Sequence, residues 1–208
     1  MWNENRSSGA LAGAGVRLES PLVGAQALLD EHLAQQSKRF RLRERPFLEL
    51  VNLRGDASDG AIAAAVQSVL GARLPTEANT VARGTEYEAL WLGPDEWLIR
   101  SNEARTPELE GKMRTALGAL FASVVDVGSG YTVLEASGER VREVLSRGCP
   151  LDLHPKMLQR GQCAQSHFFK ASIVLIPTDE DTFEIIVRRS FADYFCRIML
   201  DAAAPIVS

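Results

Sequence analysis

One order of secondary-structure signals occurs twice in this chain, and it restricts the fold more than any other feature. Residues 47–53 (FLELVNL) read as a strand closed by the turn Arg54-Gly55-Asp56. Ser58 reads as an N-cap, because its hydroxyl can accept a bond from an orphan N–H of a first helical turn. Ile62, Val66, Val69 and Leu70 then share one helical face, and Gly71 and Pro75 stop that helix. Residues 87–92 and 96–100 are strands joined by the turn Gly93-Pro94-Asp95. Thr106-Pro107 marks the next helix start, since proline at the first helical position has no needed N–H to lose. Leu109, Met113, Leu117 and Leu120 line its apolar face, and residues 123–127 return as a strand.

The second run repeats this order. Residues 131–136 are a strand and 139–147 a helix, with Val141, Val144 and Leu145 inward and Gly148 at its end. After an irregular stretch, residues 164–176 are strand-rich, and the turn at 178–181 leads into 183–187, where Phe183, Ile185 and Val187 alternate. Phe191, Tyr194, Phe195, Ile198 and Met199 form a helical stripe. The expectation is an α+β protein of two tandem βαββα(β) ferredoxin-like halves, residues 47–123 and 124–208, with antiparallel sheets and helices packed on one face of each. No GxGxxG follows a strand, so a dinucleotide crevice is not indicated.

The first 46 residues read differently. Residues 1–21 have no basic segment leading into an apolar one, so they are expected to be a flexible tail rather than a secretory signal. Leu22, Ala25, Leu28, Leu29 and Leu33 suggest a short amphipathic helix. Residues 38–46 (KRFRLRERP) hold five basic residues and one acid in a chain whose net charge is −4. The segment reads as a basic arm, either solvated or lying on an acidic partner, with Arg39, Arg41 and Arg43 as candidate contacts. A nucleic-acid role is disfavoured because the run is short and the whole chain is acidic. No apolar run approaches the roughly 18 residues of a membrane span. Three cysteines, none at CxxC spacing, argue against a disulfide framework or a cysteine zinc site, and point to a reducing cytoplasm.

The chain holds few residues in patterns that carry chemistry. His32, His154 and His167 have no metal-ligand spacing. Ser129, between Gly128 and Gly130, lacks the full nucleophile-elbow pattern and reads as a turn. Cys149, Cys163 and Cys196 read as packing residues. Trp97, beside a hairpin turn, reads as core or as an aromatic anchor at a subunit contact. Arg188-Arg189 reads as a surface pair or as a fork for a carboxylate or phosphate. No catalytic, cofactor-binding or metal-ligating residue is assigned; Trp97, Arg188, Arg189, Arg39, Arg41 and Arg43 are candidate partner contacts.

Four strings carry a resemblance: residues 125–138 (VDVGSGYTVLEASG), 148–155 (GCPLDLHP), 161–165 (GQCAQ) and 187–194 (VRRSFADY), together with 92–98 (LGPDEWL). The chain resembles the gamma subunit of heterotetrameric sarcosine oxidase over about residues 47–203. The resemblance implies a fold similar to the folate-binding region of glycine-cleavage aminomethyltransferases. It implies a complex with alpha, beta and delta subunits that oxidatively demethylates sarcosine to glycine and hydrogen peroxide, and forms methylenetetrahydrofolate when tetrahydrofolate is present. FAD, FMN, NAD, zinc and tetrahydrofolate are then expected in the other subunits, and none in this chain. The aminomethyltransferases carry an Asp-Asp pair where this chain has Lys170 and Ala171, and an asparagine where it has Arg188, so this chain lacks that folate-amine contact. The alternatives are a folate-dependent enzyme in its own right, or a small-ligand module with its site at the junction of the halves.

Overall fold

The computed structural model describes residues 18–207. The expected tail thus lies largely outside the described residues. In chain order the elements are α1 (Gln26–Ala34), β1 (Arg41–Arg45), β2 (Leu50–Arg54), α2 (Gly60–Leu70), β3 (Val81–Arg83), β4 (Tyr87–Gly93), β5 (Glu96–Ser101), α3 (Leu109–Leu117) and β6 (Ser123–Asp126). These are followed by β7 (Tyr131–Ser137), α4 (Val141–Ser146), β8 (Ala164–Phe168), β9 (Ala171–Asp179), β10 (Thr182–Arg188) and α5 (Ala192–Val207).

The strands form two five-stranded antiparallel sheets. The first has the order β3-β4-β5-β2-β6 and the second β1-β7-β10-β9-β8. Within the first, β2-α2-β4-β5-α3-β6 is a ferredoxin-like unit, with β3 added at one edge. The second repeats it with β7, α4, β9, β10 and α5, but its fourth strand comes from elsewhere. β1, which precedes the whole first half in sequence, pairs antiparallel with β7 (Leu42 opposite Ala136) and completes the sheet.

For residues 18–46 this corrects the reading of the first 46 residues as an arm separate from the body. Phe40 and Leu42 are buried in the core of the second half with Leu22, Ala25 and Leu29 of the preceding segment. The arginines alternate with them and fall on the opposite face of the strand. The backbone is also tied down: the N–H groups of Glu139 and Arg140 donate to the carbonyls of Lys38 (3.1 Å) and Arg39 (2.8 Å). Gly138, at φ +120°, permits this approach, since a Cβ there would lie 2.6 Å from the Arg39 carbonyl oxygen.

Each sheet carries its helices on one face. In the first half Ile62, Val66 and Leu70 of α2 and Leu109, Met113 and Leu117 of α3 meet Val51, Leu53, Ala89 and Ile99 of the sheet. The other faces of the two sheets meet each other: Leu50, Leu90 and Leu98 form one apolar cluster with Val133, Ile176 and Ile186. The result is a helix–sheet–sheet–helix stack in which most strands are covered on both faces.

Several local expectations shift. The N-cap of α2 is Asp59, whose carboxylate accepts from the N–H of Ala61 (2.8 Å), while Ser58 donates to Asp56 (2.6 Å). Asp59 takes the position because it directly precedes Gly60 in extended backbone, while the Ser58 hydroxyl is engaged by Asp56. Gly71 ends the helix at φ +74°. The third helix starts at Leu109 rather than at Pro107. In α5 the buried stripe is Ala192, Phe195, Cys196, Met199, Ala202, Ala203 and Ile206, while Phe191 and Tyr194 are exposed. The small Ala and Cys side chains let the helix seat closely on the sheet around Phe195, and Phe191 and Tyr194 fall on the side away from it.

Candidate functional site

Two polar features sit where the halves meet. The first is an ionic cluster between the sheets. Glu184 of β10 binds Arg45 of β1 and Arg100 of β5, and Arg100 also binds Glu88 of β4. Arg83 of β3 extends the chain at 3.3 Å from Glu88. Glu184 is 2 % exposed and Arg100 3 % exposed, so neither charge has a solvent alternative. Burial alone would raise the Glu184 carboxyl, but Arg100 and Arg45 outweigh it and hold the group below the usual carboxylate range. The cluster ties β1 and β10 of one sheet to β4 and β5 of the other. Sequence reasoning misses it, because Glu88, Arg100 and Glu184 each look like the outward residue of an alternating strand.

The second feature is a cavity of about 520 Å³ at the junction, walled by β2, α3, the segment joining the halves, and the residues before α1. Glu49 lies in its wall and is 6 % exposed. Its Oε2 accepts from the N–H groups of Glu108 (2.6 Å) and Leu109 (2.6 Å), and so caps α3 from the residue that precedes β2. Its Oε1 is buried and has no hydrogen-bond partner. Phe47, also in the wall, holds φ +60°, a left-handed conformation uncommon for a bulky residue. Arg189 and Tyr131 form the side contributed by the second half.

The candidate contact residues are dispersed. Trp97 is fully buried, and its indole N–H donates to the Pro75 carbonyl at 2.8 Å. It is a core anchor and not a subunit contact, because β5 turns it toward α2 and α3. Arg39 donates to the Ile206 carbonyl at 3.0 Å, tying the approach to β1 to the end of α5. Arg43 clamps Glu135 with two bonds of 2.7 Å. Arg41 is exposed beside it. Arg188 is exposed and lies over the Tyr131 ring at 5.6 Å; Arg189, also exposed, lines the cavity.

The residues read as inert are placed accordingly. All three thiols are buried, with Cys163 pushed up to about 11 and Cys196 to about 12 by desolvation. Ser129 lies in the short 3-10 turn Gly128–Gly130. Lys170 is exposed at a hairpin tip and Ala171 is buried in the core, so neither position offers a carboxylate. Among the described residues no group of three or more His, Cys, Asp or Glu is placed to hold a metal ion. No helix among them is long and apolar enough to cross a membrane.

Two ferredoxin-like halves joined through their sheets define an aminomethyltransferase-like scaffold. The aminomethyltransferase T of the glycine cleavage system from Bartonella henselae has this fold, with a TM-score of 0.59 over 83 % of this chain and 48 % of that one, at 15 % identity. Sequence narrows the class. The model of the sarcosine oxidase gamma subunit family matches residues 54–205. Sarcosine oxidase gamma subunits from Corynebacterium sp. (strain P-1) and Arthrobacter sp. are 32 % and 33 % identical, each alignment covering 86 % of this chain and 90 % of the relative. A chain of the heterotetrameric sarcosine oxidase from Corynebacterium sp. U-96, solved in complex with pyrrole 2-carboxylate, superposes with a TM-score of 0.82 at 28 % identity, over 92 % of this chain and 97 % of that one. The chain belongs to the sarcosine oxidase gamma subunit family.

Proposed function

We propose that this chain is the gamma subunit of a cytoplasmic heterotetrameric sarcosine oxidase, assembled with alpha, beta and delta subunits. The complex oxidatively demethylates sarcosine to glycine with release of hydrogen peroxide, and yields methylenetetrahydrofolate when tetrahydrofolate is present. FAD, FMN, NAD, zinc and tetrahydrofolate belong to the other subunits. The observation that carries this reading is the match over nearly the full length of a chain from such a complex. The thiols of Cys163 and Cys196, held in their protonated form, and an alanine and a lysine at the positions that resemble the folate-binding acids support a chain that works by assembly rather than chemistry.

The exposed guanidiniums of Arg41, Arg188 and Arg189 are the docking contacts on this reading, facing acidic groups of the larger subunits. Co-expression of the tagged chain with the neighbouring alpha, beta and delta chains tests the proposal. The expected outcome is a stoichiometric four-chain complex with a flavin spectrum and sarcosine-dependent peroxide production, whereas the chain alone is colourless. A complex that assembles at full activity without this chain, or a stoichiometric flavin on the isolated chain, refutes it. Docking is tested by Arg41→Glu and Arg188→Glu rather than by removal of residues 1–46, which would strip a strand from the second half.

A further inference from the structure

We propose that the cavity at the junction of the halves binds a small molecule bearing an ammonium group on an apolar body, with the ammonium directed at Glu49. A volume of about 520 Å³ is of the size that holds a small organic ligand. Glu49 commits one oxygen to the start of α3 and leaves the other buried without a donor. A desolvated carboxylate oxygen is costly unless a donor meets it, and a cationic N–H is the strongest donor available.

The cations nearby are engaged elsewhere. Arg105 gives its charge to Glu86 at 3.2 Å through Nη1 and lies over the Tyr87 ring at 5.1 Å, although its buried Nε has no partner. Lys112 and Arg114 neutralise Glu108 (2.6 Å) and Glu110 (2.8 Å), two further acids of the wall. Glu19, Glu49 and Asp126 then stand against Arg189, and the balance favours a positive guest. Leu18, Phe47, Val51 and Tyr131 supply apolar and aromatic surface for the rest of the molecule. Gly111 of α3 also faces the cavity, and a Cβ there would meet nothing within 4 Å.

Calorimetric titration of the full chain with benzylammonium chloride tests this, with benzyl alcohol and sodium benzoate as the neutral and anionic isosteres. The expected result is saturable binding of benzylammonium at least ten-fold tighter than of the alcohol, with no binding of benzoate. Glu49→Gln is expected to weaken it ten-fold or more. Gly111→Leu leaves the Glu49 cap untouched, projects a side chain into the cavity and is expected to weaken binding ten-fold or more. No saturable heat, equal binding of the alcohol, preference for benzoate, or unchanged binding by the Gly111→Leu chain each overturn the proposal. The titration needs no partner subunit, so it fails or succeeds independently of assembly into the oxidase.

Discussion

Replacing Glu184 with glutamine is the sharpest perturbation of the contact between the two halves. The amide would keep the shape of the side chain but offer one acceptor where two guanidiniums now bind, and would turn an N–H₂ toward one of them. Arg100, at 3 % exposure, would be left with Glu88, which it already shares with Arg83. Arg45 has a side chain 20 % exposed and recovers part of its solvation. Removing one partner of a buried pair costs about 3–5 kcal/mol, and the partial escape of Arg45 puts the expected loss near the lower end, about 3 kcal/mol. Urea unfolding followed by circular dichroism measures it. Addition of Arg100→Met is expected to cost less than the sum of the two single changes, because the two residues share one contact and Glu88 keeps Arg83. A single-mutant cost under about 1 kcal/mol, as for an exposed ion pair, or strict additivity in the double mutant, would refute a desolvated cluster. Acid acts on the same contact with a definite sign. Glu184 has its carboxyl below the usual range, so its stabilisation is full above that range and is lost as pH falls through the lowered value. The glutamine variant is expected to lose that acid dependence.

Three further outcomes are expected. Leu42→Ala, in the segment that resembles a solvated arm, should cost about 2–5 kcal/mol in the same assay because the side chain is fully buried, while Arg41→Ala should cost less than about 0.5 kcal/mol. Gly138→Ala should cost more than about 2 kcal/mol, from a left-handed backbone and a collision with the Arg39 carbonyl, and should appear as a lowered thermal midpoint. Burial, aided by Arg41, holds His32 below the ordinary histidine value of 6.5. The unfolded chain therefore takes the proton first, stability falls as pH drops below 6.5, and His32→Leu should flatten stability between about pH 5 and 7.5.

Much of the fold was legible because hydrophobic period and punctuation agree. β4 and β5 around Gly93-Pro94-Asp95, α2 ending at Gly71, and the pairing of strand-rich residues 164–176 with 183–187 are all local signals. What escaped depends on distant partners. In FRLRER the charged residues masked a period of two, Phe40 and Leu42 inward and Arg41, Arg43 and Arg45 on the other face. Nothing local reveals that Glu135 and Glu184 wait opposite those arginines. Glu49 reads as a surface residue of FLELVNL, yet it caps a helix that begins at Leu109. β3 is three residues long and too brief for any period to show. Of the candidate contacts, Trp97 misled because a tryptophan beside a turn looks the same whether its ring faces solvent or core.

The origin of β1 has a consequence for synthesis on the ribosome. Residues 50–126 hold every strand and helix of the first sheet in one uninterrupted stretch, so that half can fold as soon as it emerges. The second half cannot: its closing strand leaves the exit tunnel before the first half exists, and its partner strand is missing until β7 appears. Its alternating arginines suit that wait, since a charged, unpaired strand is a poor template for a neighbouring chain. When β7 and β10 arrive, the carboxylates of Glu135 and Glu184 receive Arg43 and Arg45, and the segments before and after the first half are drawn together beside it.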